Sequence, residues 1–120
     1  MKYISNFLTI LSQLKVYHWQ TERYSEHQAF GGAYEAISDL VDKFVEVYMG
    51  RYDRIFSPNE SDNLDIYNID SLQPAVFIKN VRTYLEELNL PDRETDTDLL
   101  NIRDEILAEI DKLSYLLTLK

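Results

Sequence analysis

Phe30, Tyr34, Ile37, Val41, Phe44 and Tyr48 recur at alternating steps of four and three, and this pattern constrains the chain more than any other. Side chains so spaced share one face of an α-helix, and such a strip is buried against helices packed nearly parallel or antiparallel to it. Ser25 with Gln28 three residues on reads as a capping box at its start, Gly50 falls at or just inside its end, and the run can be followed to Tyr52. At about 1.5 Å per residue such a helix spans about 40 Å, a length that belongs to a bundle. Gly31 and Gly32 each cost about 1 kcal/mol relative to alanine inside a helix, so something there needs space or a close backbone approach.

The other segments repeat the pattern. Ile4, Phe7, Leu11, Leu14 and His18 follow 3, 4, 3, 4 spacing, which places His18 on the buried stripe of a first helix. From Arg54 to Asp70 the periodicity lapses into a long crossover containing Pro58, with one short helical turn expected around Leu64 to Tyr67. Asp70 or Ser71 is expected to cap a third helix with Pro74 in its first turn and a seam of Phe77, Val81, Tyr84 and Leu88. Asn89, Leu90 and Pro91 stop it. Thr95 and Asp98 suggest a looser capping box, and Leu99, Ile102, Ile106, Ile110, Leu113 and Leu117 line the last helix. No strand-like alternation and no internal repeat appear. The expectation is an all-α fold of one domain over 1–120, with helices at about 3–20, 25–52, 72–89 and 96–119. A long connection between the second and third helices makes the topology a ferritin-like four-helix bundle.

Composition narrows the function. With 21 acidic against 12 basic residues the formal net charge is -9, which repels a nucleic-acid backbone and favours divalent cations, basic protein surfaces or plain solubility. Mimicry of DNA toward basic enzymes is a third reading of the same charge. The absence of cysteine excludes a disulfide framework and thiolate zinc sites. No apolar run approaches the roughly 18 residues of a membrane span, and polar residues interrupt what would be a leader core, so a soluble cytoplasmic chain is expected.

The chemistry-bearing residues lie near the first turn and on the long helix. Glu35, Asp39, Asp42 and Glu46 are spaced four, three and four, so their carboxylates line one edge beside the apolar seam; His18 and His27 flank the turn. Imidazoles and carboxylates together suit iron, zinc or manganese. The same residues also suit a solvated helix face and two imidazoles bonded to backbone carbonyls.

His18-Trp19, then His27, then Asp42 and Glu46 one turn apart resemble the ferroxidase signature of the Dps mini-ferritins, and the string HWQTERYSEHQAF…YEAISDLVDKFVEVYMGRY looks closer to small Dps-like proteins of tailed bacteriophages. The resemblance covers residues 5–55 at motif level and the rest in helix order. It implies a metal site shared across a subunit two-fold. His18 and His27 of one copy would face Asp42 and Glu46 of another, with Trp19 packing beside them. The partner would then be a second copy of the chain, the cofactor or substrate iron or another divalent metal such as zinc, and the activity oxidation of Fe(II). Three departures qualify this: the turn between the histidines is shorter; Gly31 stands where the family has an acidic ligand, with Glu35 one turn further along as a candidate substitute; and the basic N-terminal extension is lacking, so the DNA compaction of some Dps proteins is not expected here. The alternative is a non-catalytic acidic helical oligomer of phage origin acting through protein contacts.

Overall fold

The computed structural model describes residues 3–55 and 64–120, so the part of the crossover that contains Pro58 lies outside the described residues. Four helices are present, α1 (Tyr3–Gln20), α2 (Tyr24–Arg51), α3 (Pro74–Glu86) and α4 (Thr97–Leu116), and there is no strand among the described residues. No helix described is long and apolar enough to cross a membrane.

Helix directions follow from side-chain contacts. His18 lies beside Gly31 at one end of the α1/α2 pair, and Tyr3 meets Tyr48 with ring centroids 5.4 Å apart at the other, so the two helices are antiparallel. Phe7 meets Tyr84 and Tyr17 meets Phe77, at 6.5 and 5.5 Å, which makes α1 and α3 antiparallel as well. The end of α2 reaches the start of α4 through Arg51 and Asp96, while Ala33 and Leu113 line one groove near their opposite ends. Helices α2 and α3 therefore point the same way, and the connection between them runs the length of the molecule.

The α2 seam is buried as its spacing predicts, apart from half-buried Tyr34. On α1 the buried face is rotated from the expected one. Phe7, Leu11 and Leu14 are buried as expected, Tyr3, Ile10 and Tyr17 join them, and Ile4 and His18 are half-buried at the edge. Both stripes have helical spacing, and aromatic bulk decides between them: Phe7 and Phe44 lie edge to face with centroids 5.2 Å apart. On α4, Leu117 falls just past the last turn and is only partly buried.

None of the expected capping boxes forms. The residue before α2 is Arg23 and the one before α4 is Asp96, neither with a side-chain cap, and α3 begins at Pro74 after Gln73 rather than at Asp70 or Ser71. Proline at the first helical position has no N–H to leave unsatisfied, which lets that helix begin uncapped there. Residues 64–68 contain no helical turn. Buried Gln13 holds them extended instead: its amide donates to the Tyr67 carbonyl and accepts the Tyr67 N–H, each at 2.9 Å. Gln20 accepts the Ile69 N–H at 2.8 Å, and the Tyr17 hydroxyl, whose pKa burial pushes up to about 12, donates to Leu72 at 2.6 Å.

Asp96 is fully buried and closes the opposite end. Its carboxylate takes the Tyr52 hydroxyl, the Arg51 guanidinium at 2.5 Å and the Asp92 N–H at 3.0 Å. Burial alone would raise its pKa, but the Tyr52 hydroxyl, the Asp92 N–H and Arg51 together outweigh it and hold the carboxyl below the usual carboxylate range. A group depressed in the folded state stabilises it above the unfolded pKa and stops doing so as pH falls through the folded value. Wild type is therefore expected to lose urea stability more steeply than Asp96→Asn as pH drops below about 4. Parallel acid profiles would show that this carboxyl is not linked to folding.

Candidate functional site

The short turn between α1 and α2 brings the two histidines together. Thr21 N–H bonds the Tyr17 carbonyl as α1 closes, His27 N–H bonds the Arg23 carbonyl as α2 opens, and the Thr21 hydroxyl donates to Glu26 at 2.7 Å. The imidazole rings stack with centroids 3.8 Å apart and planes 17° apart. Each ring bonds the other residue's backbone: His18 Nδ1 lies 2.7 Å from the His27 carbonyl oxygen, and His27 Nδ1 lies 2.8 Å from that of His18.

A carbonyl oxygen can only accept, so each Nδ1 carries the proton. In the neutral form of each ring that places the lone pair on Nε2. The His18 carbonyl belongs to the last turn of α1, where helix geometry leaves carbonyls without intrahelical donors, and His27 supplies one. The arrangement thus closes the helical corner and also has the form of a metal-ligating histidine, whose second nitrogen donates to a backbone carbonyl.

Gly31 is explained by the same pair. A Cβ at residue 31 would lie 3.0 Å from His18 Cε1 and 3.1 Å from Nδ1, whereas a Cβ at Gly32 would meet nothing within 4 Å. The His18 ring is held by its hydrogen bond and by the stack, so giving the few tenths of an ångström that a Cβ needs stretches one or the other. Gly32→Ala is therefore expected to gain up to about 1 kcal/mol in chemical denaturation, and Gly31→Ala to lose stability despite the same gain in helix propensity. Equal gains for both would show that the ring is free to move.

The carboxylates are elsewhere. Glu35, Asp39, Asp42 and Glu46 are all exposed on α2, and none makes an ion pair among the described residues. They therefore stand on the solvent side of the helix. Asp42 lies about 22 Å along α2 from His27, beyond the reach of the two side chains. No three His, Cys, Asp or Glu side chains among the described residues are grouped to hold a metal ion, so neither Glu35 nor the pair Asp42 and Glu46 joins the histidines within one chain. Trp19 is 68% exposed rather than packed in its own chain. Lys15, not singled out by the sequence patterns, places its ammonium 4.5 Å from the Tyr34 ring centroid and 5.9 Å from that of Trp19. Toward the start of α1 a groove of about 360 Å³ opens between α1 and α2, lined by Leu8, Leu11, Asp39, Asp42 and Val45 among others.

Residues 18–117, from the last residues of α1 to just past α4, match the model of a family described as a family of unknown function, DUF5856. The chain belongs to the DUF5856 family. The match begins at His18 and includes both histidines and Glu35, Asp39, Asp42 and Glu46. The chain is also similar to a protein of Enterobacteria phage T4, described as an uncharacterized 14.6 kDa protein in the mobD-ri intergenic region; the two are 28% identical over 103 residues, 86% of this chain and 75% of the phage protein. No solved structure matches.

Proposed function

We propose that this DUF5856 chain is a ferritin-like, Dps-like protein that binds divalent metal at a site completed by a second copy, with Fe(II) as its substrate. His18 and His27 of one protomer supply two imidazole nitrogens, and Asp42 and Glu46 of the other supply carboxylate oxygens. Glu35 is a further donor on the same helix. The observation that carries this reading is the reciprocal bonding of the histidines, which engages both Nδ1 atoms and leaves the Nε2 atoms of two stacked imidazoles free of that bonding at a half-buried corner. Two nitrogens and two or more oxygens form a set suited to iron or zinc, and bound iron would supply the redox chemistry of Fe(II) oxidation. This chain's residues orient the ligands and fix the imidazole tautomers.

The competing reading is an acidic helical oligomer acting through protein contacts, and the exposed Trp19 at one end of the α1/α2 face with an apolar groove at the other favours it as far as a contact surface goes. Thermal melts with and without metal separate the two. A ligand that prefers the folded state adds about 2.7 kcal/mol at a hundredfold excess over its Kd. Zn(II), and Fe(II) without oxygen, are expected to raise the Tm of wild type and to leave His18→Ala and Glu46→Ala unchanged. A rise that survives both substitutions refutes the site, and no rise in wild type leaves the non-catalytic oligomer.

A further inference from the structure

The face shared by α1 and α2 differs at its two ends. At one end Trp19 projects 68% exposed, with the Lys15 ammonium one turn earlier. At the other, the groove of about 360 Å³ exposes Leu8 and is edged by the carboxylates of Asp39 and Asp42. A projecting ring with a cation and an apolar recess edged by acid are complementary. A two-fold axis between two copies makes both contacts at once.

We infer that this face joins two copies of the chain, each seating its Trp19 in the other's groove and setting its Lys15 against the other's Asp39. The inference rests on the shared-site reading above and identifies the surface that assembles it. Its support is the register. Within one chain His18 lies beside Gly31, Lys15 lies over Tyr34, and Leu8 shares the groove with Asp42, so Trp19 stands about level with Phe30 and the groove about level with Val41. Exchanging those two levels puts the axis about level with Ala36. The histidine pair spans the level of residues 27 to 31 and its carboxylates lie at 42 and 46, so bringing these together also puts the axis about level with Ala36. One axis therefore serves both contacts, although they involve different side chains. A net charge of -9 on each copy opposes association, which makes the two symmetry-related Lys15 to Asp39 contacts the local attraction that sets orientation. A buried tryptophan at the centre of such a contact is a common energetic anchor.

Trp19 is the chain's only tryptophan, so its fluorescence reads the contact directly. In chelator, emission of the full chain is expected to be blue-shifted at high concentration and to move red on dilution, in step with dissociation to monomers in sedimentation equilibrium. Leu8→Glu alters the groove about 16 Å along α1 from its own indole, and should hold emission red and the chain monomeric at every concentration. Because Leu8 is 46% exposed, circular dichroism of that variant should match wild type. Lys15→Glu should weaken the dimer at least tenfold, and Lys15→Glu with Asp39→Lys should restore it. A chain that stays monomeric, or a dimer whose indole remains in water or ignores Leu8→Glu, overturns the inference. A buried indole without metal-dependent stabilisation keeps the dimer and removes the metal; metal-dependent stabilisation with a water-exposed indole does the reverse.

Discussion

Mixed and refolded together, a His18→Ala chain and a Glu46→Ala chain, each unable to bind Fe(II) alone, are expected to recover about a quarter of the wild-type sites. The expectation follows from symmetry: a two-fold interface holds two equivalent sites, each taking imidazoles from one copy and carboxylates from the other. In a mixed dimer one site combines both substitutions and the other combines neither. Random pairing makes half the dimers mixed, which gives about one intact site in four. Equilibrium dialysis of the single variants and of the mixture measures it. If the mixture binds no more metal than the single variants, the ligands do not come from two chains. The intact site of a mixed dimer takes its imidazoles from the chain that keeps His18, so weakening of the helical corner by His18→Ala falls on the chain that supplies only carboxylates.

Phe44→Ala is expected to cost about 3–5 kcal/mol, the range for deleting a large ring from a packed core. Phe44 is fully buried, and its ring meets Tyr3 at 5.8 Å and Phe7 at 5.2 Å between centroids. Both partners are rigid rings that already meet Phe44 edge to face, so neither can relax into the cavity. A domain of this size has about 5–15 kcal/mol of total stability, so the variant should unfold at a much lower urea concentration. A loss below about 1 kcal/mol would mean that the aromatic cluster is not the core's centre.

These two expectations draw on different amounts of sequence information. The α2 seam was readable because a long run at helical spacing admits one buried face. The α1 face was readable only at Phe7, Leu11 and Leu14, because Ile4 and His18 on one side and Tyr3, Ile10 and Tyr17 on the other are equally periodic with them. Which one faces inward depends on rings contributed by α2 and α3. The capping boxes failed for a related reason: Ser25 has the right residue type, but the Thr21 and Glu26 contact starts the helix earlier. Gln13 and Asp96 left no local signal, since their partners are Tyr67 on the crossover and Arg51 and Tyr52 at the end of α2. The histidines were recognisable as a pair from their positions around the turn. Their reciprocal bonds and the steric need for Gly31 depend on a turn geometry that residue types alone do not define.

The contact between His18 and Gly31 also limits how this lineage can change. A carboxylate at residue 31 and an imidazole lying across it compete for one volume, so no single replacement can add the acid while keeping the ring in place. The compactness of the turn thus restricts which side chains residue 31 can carry.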